Sequence, residues 1–311
     1  MAWQRLPAHF KERSVNSLYK GVDKYIKYIF TLPTLLFVIL CVTYPLIYTF
    51  QLGFHEWSMS VSIPKNWVGL RNYIELLTDS RTWDAFWRTI VYTFIVVVVE
   101  TVLGVVFALM LAKIKRGTNI IRTVFLLPMV ATPVAVGIVW KLIYEPTIGV
   151  GNMILTGLGF KASTFLGSAH TVLPSLILID IWQWTSMVML VVLAGISGLS
   201  DDIYESARID GANEMQQIFK ITLPLLLPTI LMAVLLRVID ALKTFDIIYA
   251  TTQGGPGYSS ENLNILSYRY AFEYFYMGKA SALLIIFFFV VFFFAMLYVV
   301  MKNKLESRYE A

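Results

Sequence analysis

Charge is missing from long stretches of this 311-residue chain, and that absence limits its fold more than any other feature. Tyr28 to Phe54, Thr123 to Trp140, Ile221 to Leu236 and Ala280 to Met301 carry no charged residue at all. Thr89 to Ala112 holds only Glu100, and Thr171 to Ser200 only Asp180. A hydrocarbon layer about 30 Å thick needs about 20 apolar residues at 1.5 Å per residue, so each run is a candidate span; the fifth is short and continues through Arg237 and Asp240. None alternates polar with apolar, which argues against barrel strands. A water-soluble domain carries about a quarter charged residues, against 14% here. The expected fold is an all-α integral membrane protein with six transmembrane helices. Its parts are a basic tail over 1–27, a first helix over 28–54, an outer connection over 55–86, a five-helix core over 87–301 and a short tail over 302–311.

Six spans put both termini on one side, and the basic residues say which. With the N-terminus inside, 15 of the 25 Lys and Arg fall on cytoplasmic segments: six up to Lys27, four between Lys113 and Arg122, two in the fourth connection and three after Met301. Both ends are expected to face the cytoplasm, and the tail's positive charge suits anionic lipid rather than nucleic acid. No cleavable leader is expected, because the first apolar run follows a charged tail and is too long.

Several chemistries find no residues. Cys41 is the one cysteine, and His9, His55 and His170 have no ligand spacing, so no metal site or cofactor is expected in this chain. No G-x-x-x-x-G-K-[ST] loop occurs, so ATP hydrolysis would need another chain. No nucleophile, base or paired-carboxylate set is supported locally, and an enzyme is not expected.

The fourth connection breaks the charge rule, with Asp201, Asp202, Glu205, Asp210 and Glu214 on the predicted cytoplasmic side. Ser200 is a good N-cap for a helix that opens with Asp201 and Asp202, where the helix dipole favours acids. Gly211 suits a left-handed stop, and Asn213 with Gln216 forms a capping box for a second helix. Spacing places Ile203, Ala207 and Asp210 on one face of the first helix. Small Ser206, Ala207, Gly211 and Ala212 offer little area to lipid, so this acidic knob over about 200–211 fits a protein groove better than a membrane surface.

These residues carry a resemblance. Glu205-Ser-Ala-Arg-Ile-Asp-Gly-Ala, with nine residues between Gly211 and Ile221-Thr-Leu-Pro224, resembles the E-A-A-x-x-x-G-x(9)-I-x-L-P pattern of permease subunits of bacterial binding-protein-dependent ABC importers. Ser206 stands where the family usually has Ala. Thr252-Gln-Gly-Gly-Pro256, with Tyr268, Tyr270 and Gly278 beyond it, is similar to the carbohydrate branch, the maltose-type larger permease, and the likeness runs from about Trp87 to Met301. The resemblance implies a type I importer permease fold in which the 200–211 segment is a coupling helix. Glu205, Ser206, Ala207, Asp210, Gly211 and Ala212 would contact the motor. It also implies the partners: a second, related permease forming a heterodimer, two ATP-binding subunits holding ATP and Mg, an extracytoplasmic solute-binding protein and a carbohydrate substrate. The setting would be the bacterial inner membrane.

Ionisable groups inside spans usually face a pore or one another. Arg237, Asp240, Lys243 and Asp246 recur at i+3, so Arg237–Asp240 and Asp240–Lys243 pairs are expected. Asp180, Trp182, Gln183 and Trp184 combine aromatic faces with acid and amide groups, which suits sugar rings and hydroxyls. By position against the maltose-type permease, the path candidates are Thr132, Pro133, Asp180, Gln183, Trp184, Met187, Arg237, Asp240, Lys243 and Thr244. Lys243 and Arg237 extend the expected substrates from sugars, oligosaccharides and polyols to a glycerol phosphate. Glu100 is left between the pore and a partner helix. A passive channel or ion-coupled carrier is the competing class.

Overall fold

The computed structural model describes residues 8–59, 64–114 and 118–309. Arg5, Lys115 and Arg116 of the basic segments, and the side chains of the tail through Lys24, of Lys27 and of Arg308, lie outside that description. Helix α1 runs Ala8–Gly53, the two-residue strands β1 (His55–Glu56) and β2 (Asn66–Trp67) pair antiparallel, and α2 (Arg71–Thr78) leads into α3 (Ser80–Ala112). Then come α4 (Thr118–Val130), α5 (Pro133–Ile143), α6 (Val150–Gly157), α7 (Val172–Ser197), α8 (Asp201–Ile209) and α9 (Glu214–Gln217). The chain finishes with α10 (Leu223–Leu242), α11 (Asp246–Thr251), α12 (Leu263–Tyr268) and α13 (Met277–Tyr309). Among the described residues five helical segments are long and apolar enough to cross a membrane, and the bent α4/α5 pair makes a sixth if counted as one span.

That bend is a departure from the sequence expectation. The uncharged run Thr123 to Trp140 reads as one straight span, yet α4 and α5 meet at 94°. Proline disfavours the helical region for the residue before it, and Thr132 before Pro133 is extended at φ −65°, ψ 140° while Pro133 starts α5. A second break follows Leu242, so the i+3 stripe ends there and Asp246 belongs to α11.

Helices α3 and α7 form the centre of the fold, and α10 packs on both. Their closeness rests on Gly104: a Cβ there would lie 2.7 Å from the Val188 side chain and 3.0 Å from the Met189 backbone nitrogen. In apolar surroundings such small-residue approaches give helix pairing through packing rather than water exclusion. Val188, Met189, Val192 and Leu193 of α7 then bury against Ala108, Leu111, Leu226 and Ala233. By contrast, α1 leaves nearly all of its surface open from Phe30 to Gln51, as lipid or another chain would require. Lys113, just after α3, pairs with Glu214 at 2.7 Å, which fixes the second and fourth connections on the same side.

Overpacking costs about 1–3 kcal/mol where backbone cannot retreat. Gly104→Val is expected to lower the melting temperature of the purified protein by several degrees, whereas Gly157→Ala, whose Cβ meets nothing within 4 Å, should leave it unchanged. Thermal unfolding in detergent checks both.

Candidate functional site

Where α3, α7 and α10 meet, three charged side chains are almost completely enclosed. Arg237 of α10 is 1% exposed, Glu100 of α3 0% and Asp180 of α7 1%. The guanidinium donates from Nε to Glu100 Oε2 at 2.5 Å and from Nη2 to Glu100 Oε1 at 3.1 Å. Nη2 also donates to Asp180 Oδ2 at 2.9 Å. The two-point approach to Glu100 is the geometry for which arginine's planar fork is suited. Glu100 lies twelve residues before the end of α3, or about 18 Å along the helix, so the network sits deep in the apolar layer. The pairing expected between Arg237 and Asp240 is thus replaced by bonds to two other helices. Sequence spacing favours neighbours on one helix, but burial makes the cross-helix carboxylates the ones Arg237 needs.

Beside this network lies a cavity of about 280 Å³. Pro133, Asp180, Trp184, Arg237, Asp240, Lys243 and Thr244 line it, together with Phe245, Asp246 and Ile247, which the path candidates omit. The Trp184 ring stands 5.3 Å from the Arg237 guanidinium. Lys243 Nζ reaches Asp240 Oδ1 at 3.8 Å, as the spacing predicts, with both side chains about half exposed.

Thr132, Gln183 and Met187 are outside the lining. Gln183 is buried and donates from Nε2 to the Ala131 carbonyl at 3.1 Å, satisfying an acceptor that the α4/α5 bend frees. Thr132 is exposed just before α5, and Met187 is half-buried about two turns beyond Asp180 along α7. The second break is held similarly: Asn262 donates to the Thr244 carbonyl at 2.5 Å, and Asn264 to the Leu242 carbonyl at 3.0 Å. Two asparagines just beyond the Gly-Gly-Pro loop were the available sequence signal for that break.

The Thr252–Pro256 loop is fastened at Glu261, a fully buried carboxylate. Arg81 donates to it from Nε at 2.7 Å and Nη2 at 2.8 Å, and Arg269 from Nη1 at 2.7 Å. Gln253, Gly254, Gly257 and Tyr258 all take positive φ, a conformation these anchors hold in place. Across a second cavity of about 410 Å³ from this loop stands Glu145. The Ile148 N–H and the Thr147 hydroxyl hold its carboxyl below the usual range.

On the opposite side, α8 forms the expected knob. The Ser200 hydroxyl accepts from Asp202 N at 3.3 Å. Gly211 sits at φ +80°, with Ala212 N bonding Ala207 O at 2.9 Å and Gly211 N bonding Arg208 O at 3.1 Å, a glycine-terminated cap. Asn213 and Gln216 close the capping box reciprocally. Of the face shared by Ile203, Ala207 and Asp210 only Ala207 is buried; Tyr204 is half-buried, its hydroxyl 3.0 Å from Thr222 Oγ1, while Ile203 and Asp210 are exposed. Glu205, Ser206, Asp210 and Gly211 are exposed, Ala212 is half-buried, and Ile209 is 86% exposed.

Residues 100–307 match the binding-protein-dependent transport system inner membrane components. The chain belongs to that family. A trehalose/maltose transport system permease of Thermococcus litoralis is 34% identical over 259 residues, covering 83% of this chain and 88% of the relative. A probable ABC transporter permease of Sinorhizobium fredii is 37% identical over 255 residues, covering 82% of each. A permease from a bacterial ABC transporter that imports the acidic polysaccharide alginate superposes with a TM-score of 0.81 at 23% identity, covering 93% of this chain and 99% of that one, and so shares its fold. The protein is a multi-pass permease of a binding-protein-dependent importer.

Asn262→Leu is expected to lower stability by about 1–3 kcal/mol, since it strips the Ile265 N–H of its side-chain acceptor and the Thr244 carbonyl of the nearer of its two amide donors, Asn264 remaining at 3.3 Å. Asp240→Asn removes only an exposed pair and should cost under about 1 kcal/mol. Denaturation of the two purified variants compares them.

Proposed function

We propose that this permease forms half of a transmembrane path for a sugar, oligosaccharide or polyol and couples it to a separate ATPase through α8. The pairing of two features in one chain carries the proposal: a polar, tryptophan-lined cavity deep among apolar helices, and the rigid exposed knob of α8. A second, related permease would supply the other half of the path, two ATP-binding subunits would hold ATP and Mg, and an extracytoplasmic binding protein would deliver the solute. The missing phosphate-binding loop fits this division of labour. The relative's trehalose/maltose transport and the solved neighbour's alginate import support a carbohydrate class. Both termini would be cytoplasmic, on the side of α8.

In the mechanism, ATP-driven closure of the motor displaces whatever holds α8. The cap geometry makes α8 a lever rather than a hinge, because the Gly211 turn and the capping box fix it to the π-helical turn over 218–222 that opens α10. Motion of α8 is therefore delivered to α10, which carries Arg237 and Asp240 beside the cavity.

Uptake by the complete importer in proteoliposomes tests this. Gly211→Pro should reduce ATP-dependent uptake at least tenfold without preventing insertion, since proline cannot adopt φ +80°. Wild-type uptake by that variant, or uptake that persists with an inactivated ATPase, would favour a passive or ion-coupled carrier instead.

A further inference from the structure

Resting on the path assigned above, we infer that this chain's half of the cavity repels anions and accepts uncharged or cationic hydroxylated solutes. The sequence suggests the opposite, since Arg237 and Lys243 both project toward the cavity. Their charge is already committed. Arg237 is shared between two carboxylates, Glu100 and Asp180, both within 3 Å of it. Lys243 is matched by Asp240. Asp246, exposed on the cavity lining, has no basic partner within 4 Å among the described residues. Each cation facing the cavity has a carboxylate within 4 Å, and two cations are set against four carboxylates, Asp246 among them without a basic partner, so the balance of charge is negative. Trp184 supplies an apolar face for a sugar ring, and the exposed carboxylates accept hydrogen bonds from hydroxyls. A low-dielectric wall strengthens such a field, because the surrounding helices screen it less than water would.

The local field can be read without knowing the substrate. Thr244→Cys and Phe245→Cys, each in a Cys41→Ser background and in the complete importer, place a thiol on the cavity lining. Each is reacted with trimethylammonium-ethyl and sulfonato-ethyl methanethiosulfonate, and the rate ratio is divided by that for 2-mercaptoethanol. The cationic reagent is expected to lead by at least tenfold after this correction, and adding Asp240→Asn and Asp246→Asn should bring the ratio down to within about threefold of one. Two cysteine positions guard against loss of folding at either. A corrected ratio at or below one, or failure of both thiols to react in a protein that still transports, would overturn the inference. If the preference is absent while ATP-dependent sugar uptake persists, only the charge inference fails. If the preference holds while no sugar is taken up, the path assignment fails instead.

Discussion

A guanidinium clamped between two carboxylates, with all three side chains 1% exposed or less, ties together the helices on which the rest of the molecule is arranged. Each partner comes from a different helix, so Arg237 joins α10 to both α3 and α7. Placing three ions among apolar helices carries a desolvation cost of several kcal/mol each, and only close pairing offsets it. The network therefore contributes less to stability than to geometry: any arrangement that separates these helices exposes an unpaired charge to hydrocarbon. The Gly104 approach and the apolar layers of α3 and α7 act in the same direction, but packing alone tolerates sliding where a two-point guanidinium bond does not.

The cavity and the α8 knob are linked by the same helix. Through its π-helical turn α10 receives α8 at one end, and at the other it breaks beside Lys243 under the hold of Asn262 and Asn264. Two interrupted helices, α4/α5 and α10/α11, border the cavity, and in each case a side-chain amide satisfies the freed carbonyl. Irregular backbone at this depth is tolerated because protein, not lipid, meets its polar groups.

Much of this was legible in the sequence. Uncharged runs gave the spans, and Ser200, Gly211, Asn213 and Gln216 marked the knob because capping is local chemistry that short windows contain. The partners of Arg237 were not legible, since Glu100 lies 137 residues away and i+3 spacing pointed to Asp240. Periodicity put Ile203, Ala207 and Asp210 on one face of α8 but did not say which face packs inward; tertiary contact with Thr222 selected Tyr204 beside Ala207. The 94° bend was signalled by Pro133 but masked by an apolar run that continues through it. Gln183, read as a sugar contact from its neighbours, lies outside the cavity lining and donates to the carbonyl freed at the bend.

A double-mutant cycle between Arg237 and Glu100, measured by unfolding of the assembled importer with Arg237→Met, Glu100→Gln and the pair, addresses the clamp most directly. Each single change is expected to be strongly destabilising, and the double variant to lose at least about 1.5 kcal/mol less than their sum, the coupling expected of a close, desolvated charge pair. Additive losses would contradict it, because they would mean that Arg237 does not hold α10 to α3.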